Sequence, residues 1–378
     1  MLEYRRGRPE DYPAYLAFAD RVFTEAYREH HFDRLLPKVY APGQPTAHLQ
    51  YLAVDDRLGI RGLVAHLPGT LHAGGQVLRT AYIGTVSVCS EARGEGHMIE
   101  LMRRTMRELR EDGTDLVLLS GLRQRYGYFG FEKGGERWRY DVHEANIRHA
   151  LRGIDASALS FRPILADTED ERWAQALQQR QPLWYDRGIY GYALTCQSFE
   201  GVPWLILREG EPCGSLVVNE GSAHIHELLH DETVTLPQVL KAWQRQAGVM
   251  SLRVTLPSWQ TEDRLALQGF AESMSYSWSE NICMLDYARV VRALLPVRAL
   301  SHPLPDGRLS LFCDGQPMTV TVEHGTVTVT EAADADAPRL THEQAQRLLL
   351  FPFETEERAL APRDWFPLPV YTSIADEF

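Results

Sequence analysis

The chain has 378 residues, of which 44% are hydrophobic and 24% charged, and its formal net charge is −12. This length predicts two or three domains, because a single domain averages about 150 residues. Acidic residues outnumber basic ones by 51 to 39, which disfavours binding to nucleic acid and suits a cationic substrate. The sequence has no apolar run of membrane-spanning length, and its start, MLEYRRGRPEDY, does not resemble a signal segment. We therefore expect a cytoplasmic protein with no membrane partner.

The five cysteines do not suggest a disulfide framework. They are odd in number, far apart in the sequence, and include no Cys-x-x-Cys pair. The same scatter gives no indication of a cysteine-bound zinc site. We expect reduced thiols and no metal.

The first segment, residues 1–150, is predicted to be an antiparallel meander that enters an α/β unit. A short strand, LEYRRG, precedes a helix whose apolar residues recur at helical spacing from Tyr15 to Phe23. Two strand-like runs, HLQYLAVDD and RGLVAHLPGTLHA, then lead into a third, TAYIGTVSV.

The second segment, residues 151–286, repeats this order of elements without recognisable identity. It contains a strand (LSFRPIL), a helix (EDERWAQALQQRQ), a hairpin (PWLILREGEPCGSLVVNE), a strand (AHIHELL), a helix (LPQVLKAWQRQ) and a strand (LRVTLP). The third segment, residues 287–378, has the strands RLSLFCD and MTVTVEHGTVTVTEA, a helix THEQAQRLLLF and an irregular tail. The fold class is therefore α/β (α+β).

The stretch SVCSEARGEGHMIELM, residues 87–102, places two glycines between the end of a buried strand and the first turn of an amphipathic helix. Free N–H groups and the helix dipole favour anions there, so the loop could hold a pyrophosphate. The alternative is a turn that contains glycine for steric reasons only. The stretch is neither a Walker loop nor a Rossmann Gly-x-Gly-x-x-Gly motif.

The next strand and turn, DLVLLSGLRQRYGYFGFEKGG, favour the cofactor interpretation. With them the chain resembles the GCN5-related N-acetyltransferase (GNAT) superfamily, whose Val-x-Val strand is matched by residues 86–88. Its Arg/Gln-x-x-Gly-x-Gly/Ala loop is matched by RGEGHM, residues 93–98, with Met98 where the family prefers Gly or Ala. The run YGYFGF, residues 126–131, is similar to the Tyr-Gly-x-Phe-Gly-aromatic turn of the Eis-like acetyltransferases.

The resemblance implies tandem GNAT-like domains, each a mixed sheet flanked by helices, over residues 1–150 (catalytic) and 151–286 (degenerate). It also implies a sterol-carrier-protein-like α+β domain over residues 287–378. The co-substrate implied is acetyl-CoA, and the implied assembly is a homo-oligomer, namely a hexamer. The Val-x-Val strand would splay from its neighbour and leave backbone groups for the pantetheine amides. The implied cofactor-binding residues are Val86, Ser87, Val88, Arg93, Gly94, Glu95, Gly96, His97, Met98 and Ser120.

The implied reaction is direct transfer of acetyl to a primary amine of a small molecule or peptide. Tyr126 would protonate the departing thiolate, since the pKa of a phenol, about 10, lies near that of a thiol. The carboxylate of Phe378 would be the general base. We assign Tyr128 and Phe131 to packing and consider Asp20, Glu25 and Glu377 as candidates for an acidic substrate pocket.

Two other functions compete with this interpretation. One is a non-catalytic carrier that holds an apolar ligand in the third segment, although a carrier has no need of the loop at residues 93–96. The other is a zinc protease, because HELLH, residues 226–230, fits His-Glu-x-x-His. That motif requires a helix, whereas AHIHELL alternates like a strand.

The following HDETVTLPQVL has no glycine and carries acids, so we predict a non-catalytic second copy.

Overall fold

Three β-sheets organise the chain in a computed structural model that describes residues 1–219 and 221–378. The first sheet contains β1 (Leu2–Arg6), β2 (Gln50–Asp55), β3 (Gly59–Ala73), β4 (Gln76–Val88), β5 (Leu116–Leu119), β6 (Glu132–Gly134), β9 (Leu183–Tyr185) and β15 (Glu280–Met284). The second contains β7 (Arg137–His143), β8 (Leu159–Pro163), β10 (Gly201–Arg208), β11 (Glu211–Asn219), β12 (His224–His230), β13 (Ser251–Leu256) and β14 (Ser273–Ser277). The third contains β16 (Gly307–Cys313), β17 (Gln316–Glu323), β18 (Thr326–Thr330) and β19 (Arg339–Leu340).

The helices connect these strands and cover the sheets. They are α1 (Tyr12–Ala26), α2 (Phe32–Leu35), α3 (Pro37–Tyr40), α4 (His97–Glu111), α5 (Arg123–Tyr126), α6 (Glu144–Ala150), α7 (Glu169–Gln178), α8 (Tyr192–Cys196), α9 (Leu236–Ala247), α10 (Thr261–Gln268), α11 (Tyr287–Ala299) and α12 (His342–Leu350). In the part of the chain that the structure describes, no helix combines the length and the apolarity needed to cross a bilayer.

The first two sheets share one strand order. The first is β1-β2-β3-β4-β5-β15-β6, with β9 paired to β3, and the second is β8-β10-β11-β12-β13-β7-β14. In each, one parallel pair, β4–β5 or β12–β13, stands among antiparallel neighbours. The predicted mixed sheets and the predicted repeat of element order are therefore confirmed.

One strand of each sheet comes from the other segment of the sequence. Strand β7 pairs with β13 and β14 in the second sheet, and β15 pairs with β5 and β6 in the first. The sheets therefore do not divide at residues 150 and 286, where we expected the segments to separate. Apolar patterning predicts that a strand forms, but the edge with which it pairs depends on the tertiary fold.

Two layers cover the first sheet. On one face, α4 packs over β3 and buries Leu101, Met102 and Met106. On the other face, α1 and α11 pack against β3 and β4, and α11 also contacts β17 and β18 of the third sheet. The third segment therefore shares a hydrophobic core with the first sheet. It is an α+β unit, and its likeness to a sterol-carrier protein stays a prediction.

The irregular tail after α12 is largely buried from residue 365 onward. Trp365, Leu368 and Val370 are fully covered, and Phe378 is 6% exposed. The backbone of Glu136 donates to the carbonyl of Val370 at 2.9 Å, which connects the tail to the beginning of β7. The tail thus runs through the interior and brings Phe378 to the first sheet.

Candidate active site

A cavity of about 830 Å³ opens beside the carboxyl-terminal half of β4. Its lining includes most of the predicted site residues: Val86, Ser87, Val88, Arg93, Gly94, Gly96, His97, Met98, Ser120, Tyr126 and Phe378. Glu95 is absent from the lining among the described residues. The structure therefore places the loop, the strand, the tyrosine and the terminal residue around one space.

The loop between β4 and α4 depends on its glycines. Gly94 and Gly96 have φ values of 89° and 83°, in the left-handed region that other residues rarely adopt. Gly96 is the N-cap of α4, so the N–H groups of the helix's first turn have no intrahelical partners. With the exposed Arg93 beside them, these groups can hold a pyrophosphate.

Glu95 and His97 hold the loop in place by contacts inside the protein. The Glu95 carboxylate lies 2.9 Å from Nε2 of His97 and 3.6 Å from the Arg61 guanidinium. Nδ1 of His97 is 2.8 Å from the hydroxyl of Tyr4 on β1. We expected Glu95 to bind the cofactor. Its side chain instead contacts His97 and Arg61.

Strands β4 and β5 separate where a cofactor arm would enter. Their parallel pairing runs from Thr80–Leu116 to Ile83–Leu119, where β5 ends, while β4 continues to Val88 beside β3. The β3–β4 register shifts between Leu63 and Ala65, and Thr85 has a φ of 49°. This bulge and the end of β5 leave the edge of β4 at residues 84–88 facing the cavity, in agreement with the expected splay.

Tyr126 lies at the end of α5, with 5% of its side chain exposed. A Cβ at Gly121 would be 2.5 Å from Cε2 of Tyr126, so this glycine allows the ring to pack against the chain that follows β5. Burial raises the pKa of Tyr126 above its usual 10.0. The phenol is therefore protonated at neutral pH, as a proton donor must be.

We assigned both aromatic neighbours of Tyr126 to packing, but only one of the two is buried. Phe131 is buried in the cluster that contains Tyr126, as predicted. The packing assignment of Tyr128 is wrong, because this side chain is 90% exposed. The turn at residues 127–129 ends at Gly130, with a φ of 88°, and it leaves Tyr128 in solvent.

Phe378 lies against β4 at Gly84. A Cβ at Gly84 would be 2.7 Å from the terminal carboxylate carbon of Phe378 and 2.8 Å from one of its oxygens. The Tyr40 ring lies 6.2 Å from the Phe378 ring, and the Tyr40 hydroxyl donates to Oγ1 of Thr85 at 2.8 Å. The terminal residue is thus placed beside the bulge of β4.

Two buried cations that the sequence did not indicate hold the tail. Nζ of Lys38 donates to the carbonyls of Ala375 and Glu377, at 2.6 Å each. Arg187 donates to both carboxylate oxygens of Asp376 at 2.8 Å and to those of Glu227 at 2.9 and 2.6 Å. These partners are 40 to 339 residues apart in the sequence, so no local motif could have shown them.

The charged groups in this cluster are buried, and their pKa values shift as a result. Burial lowers the pKa of Lys38 to about 8. Arg137 pairs with Glu377 and lies 3.6 Å from Glu280. Burial, followed by the neighbouring charge of Glu377, raises the pKa of Glu280 well above its usual 4.5. The end of the chain is therefore held in a largely desolvated ionic network.

The zinc-protease pattern has a structural explanation in the same network. His226 and His230 lie on strand β12, as predicted, and not on a helix. Glu227, the acid of the pattern, pairs with Arg187 and so supports the tail. In residues 1–219 and 221–378, no group of three or more His, Cys, Asp or Glu side chains is arranged to hold a metal ion.

Of the three acids considered for a substrate pocket, Glu377 alone lines the cavity, within the described residues. Asp20 accepts from the backbone N–H of Phe32 at 2.8 Å. Glu25 lies at the surface, 3.3 Å from Arg21 on the same helix. Both have the structural roles that are usual for such residues.

Comparisons with known proteins agree with this geometry. Residues 3–134 match the family model of an acetyltransferase (GNAT) domain. The chain is similar to a GCN5-related N-acetyltransferase structure from Anabaena variabilis ATCC 29413, with a TM-score of 0.68 and 17% identity over 100% of both chains. A conserved protein of unknown function from Enterococcus faecalis V583, a probable N-acyltransferase, gives a TM-score of 0.64 at 14% identity over 90% of this chain and 87% of that one.

Eis1 from Mycobacterium abscessus gives a TM-score of 0.57 at 13% identity, over 90% of this chain and 87% of that one. No curated protein matches this sequence. Likeness at such identities shows a shared fold. Residues 3–134 therefore match an acetyltransferase (GNAT) domain, within a chain that has the fold of these structures.

Proposed function

We propose that the protein transfers acetyl from acetyl-CoA directly to a primary amine of a small molecule or peptide. The observation that carries this proposal is the single cavity that the glycine loop, the free edge of β4, Tyr126 and Phe378 share. Acetyl-CoA fits this setting, since the loop offers N–H groups to the pyrophosphate and β4 offers backbone groups to the pantetheine amides.

Tyr126 and the Phe378 carboxylate are proposed as the general acid and the general base. The carboxylate takes a proton from the ammonium of the substrate, and the free amine attacks the carbonyl carbon of the thioester. The new C–N bond forms, the C–S bond breaks, and the thiolate takes the Tyr126 proton. The proton that the nitrogen loses on becoming an amide then returns to the Tyr126 oxygen, so the acid is regenerated. A carboxylate with a pKa of about 3.5 is ionised at neutral pH and can accept a proton, although it is a weak base in water.

The anchoring of the tail supports this assignment of the base. Lys38 and Arg187 hold the backbone and the side chain of the residues just before Phe378. A reacting group needs this kind of fixed position, since transfer requires the reacting atoms at about 3–3.5 Å. The network therefore acts as positioning machinery for the base.

The carrier alternative has less support. The cavity at the GNAT loop receives only Glu377 and Phe378 from the third segment. A ligand held in the third segment alone would leave the loop and Tyr126 without a role.

The non-catalytic role of the second sheet and a homo-hexameric assembly also belong to the proposal. At the equivalent position of the second sheet, β12 leads to α9 through a Thr235 and Gln238 capping box in place of a glycine loop.

The test is release of free thiol from acetyl-CoA in the presence of a panel of primary amines, with the products identified by mass spectrometry. We expect an N-acetylated product that depends on both partners. Thermal unfolding with and without acetyl-CoA gives an independent measure of binding. Binding of acetyl-CoA without turnover of any amine would overturn the transferase proposal.

A second experiment concerns the base. Adding two glycines after Phe378 displaces the carboxylate and changes no other residue. We expect acetyl-CoA to raise the melting temperature as before and turnover to fall about tenfold or more. The same two glycines placed before Met1 are the control. Full turnover in the C-terminally extended protein would remove Phe378 from the mechanism.

A further inference from the structure

Aromatic side chains form one wall of the cavity next to the terminal residue. This aromatic wall consists of Phe23, Tyr27, His30, Phe32 and Phe199. The first four come from α1, the segment after it and α2, and Phe199 comes from the turn that contacts α2. The wall is thus built from elements outside the cofactor loop.

The rings form a continuous series up to Phe378. Phe23 meets Phe32 edge-on at 5.0 Å between centroids, Phe32 lies 5.6 Å from Tyr40, and Tyr40 lies 6.2 Å from Phe378. The His30 ring lies 5.4 Å from Phe23. Phe32 and Tyr40 are themselves buried. The ring surface open to a molecule whose amine reaches the terminal carboxylate therefore comes from Phe23, His30 and Tyr27.

The remaining residues on this side are also apolar. Val22, Ala26, Leu35 and Leu36 complete the surface between the rings. Tyr27 stands at the rim with 74% of its side chain exposed. A cavity lined by aromatic and aliphatic side chains is typical of a site that binds an apolar ligand.

The acidic groups needed for a polycation are missing from the described lining. Glu377 is the one carboxylate side chain there, and it is paired with Arg137. The terminal carboxylate remains for one ammonium group. A second or third ammonium would lose water without gaining a charged partner, which is costly in a partly enclosed site. One ammonium beside aromatic faces, in contrast, gains a cation–π contribution.

We propose that the acceptor is an amine with a single positive charge on an aromatic or bulky apolar body, as in an arylalkylamine, and that the aromatic wall holds that body. This inference rests on the proposed transferase function and deepens it. It assigns Phe23 and Tyr27 as specificity residues for the acceptor. The chemistry of the acceptor step is unchanged: the ammonium gives its proton to the Phe378 carboxylate and the amine nitrogen is acetylated.

The first test compares kcat/KM for phenethylamine and tryptamine with kcat/KM for spermidine and kanamycin, by thiol release. We expect the arylalkylamines to exceed the polycations by about 100-fold. Equal or better turnover of the polycations would overturn this inference and leave the transferase function standing. Absence of turnover with every amine would overturn the transferase function and this inference with it.

The second test uses Tyr27→Ala. Because Tyr27 is 74% exposed, we expect this variant to fold like the wild type. We expect KM for phenethylamine to rise about tenfold with kcat little changed, because the lost contact serves binding. KM for acetyl-CoA is expected to stay the same. Tyr128→Ala removes a tyrosine of greater exposure, 90%, outside the cavity lining, and serves as the matched control.

Phe23→Leu provides a further variant that keeps an apolar side chain while removing the ring. It should raise KM for phenethylamine more than KM for isoamylamine, which has no ring to lose a contact. Unchanged KM for phenethylamine in both Tyr27→Ala and Phe23→Leu would show that the wall does not bind the acceptor.

Discussion

Gly84→Ala tests the position of the proposed base without changing the length of the chain. The added Cβ would lie 2.7 Å from the carboxylate carbon of Phe378 and 2.8 Å from Cδ1 of its ring. Carbon atoms in contact are about 3.5–4.0 Å apart, so the terminal residue has to retreat by about 1 Å. The backbone of Gly84 lies outside the left-handed region, so alanine adds no conformational strain there.

The expected cost follows from that displacement. A reacting group misplaced by about 1 Å loses about 10²-fold in rate. Lys38 and Arg187 hold the preceding residues, which confines the shift to the end of the chain. We therefore expect kcat to fall about 100-fold, while the loop and the free edge of β4 still bind acetyl-CoA.

The assay is steady-state thiol release at saturating amine, together with the acetyl-CoA-induced shift of the melting temperature. Gly153→Ala is the control, since a Cβ there meets nothing within 4 Å. If the folded Gly84→Ala protein binds acetyl-CoA and still turns over as fast as the wild type, the assignment of Phe378 as the base is refuted, because a base displaced by about 1 Å loses rate.

Three further predictions address the cofactor, the acid and the effect of pH. Gly96→Asp puts a side chain at a φ of 83° and an anion beside the loop, so acetyl-CoA should no longer raise the melting temperature; a shift equal to that of the wild type would make the loop a simple turn. Tyr126→Phe keeps the buried ring but removes the proton, so kcat should fall about 10²- to 10⁴-fold with acetyl-CoA binding retained, and unchanged kcat would leave Tyr126 a core aromatic. Burial lowers the pKa of His66 from 6.5 to about 4, so the unfolded chain takes up the proton first and stability is lost as pH falls from 6.5 towards 4. In urea titrations, His66→Phe should therefore gain about 2 kcal/mol in free energy of unfolding relative to the wild type between pH 7 and pH 5; a constant difference would show that His66 does not titrate in this range.

Local patterns were sufficient for much of the site. The two glycines before α4 and the apolar run of β4 are adjacent in sequence, and strand-to-helix loops have well-defined chemistry. The alternation in AHIHELL correctly indicated strand β12. The resemblance around residues 126–131 placed Tyr126 at the same cavity.

Long-range charge pairing was not accessible in this way. Lys38 and Arg187 stand in segments without a motif, and the groups they bind, the backbone carbonyl of Glu377 and the carboxylate of Asp376, are brought to them by the fold alone. The exposed Tyr128 shows the related limit for packing, since a turn of three residues decides whether an aromatic ring faces the core. Glu95 was placed in the loop correctly, but its side-chain partner, His97, depends on the helix that follows.

The exchange of β7 and β15 has a consequence for how the protein is made. During synthesis the ribosome completes β5 and β6 long before β15, which must enter between them. Until residue 284 has emerged, the nascent chain carries an open β5 edge, and such edges invite pairing with other chains. A fragment that ends at residue 150 would keep this defect permanently and would also carry β7 without its sheet. The first 150 residues are thus unsuited to excision, and co-translational folding of the two sheets is expected to be a joint, late event.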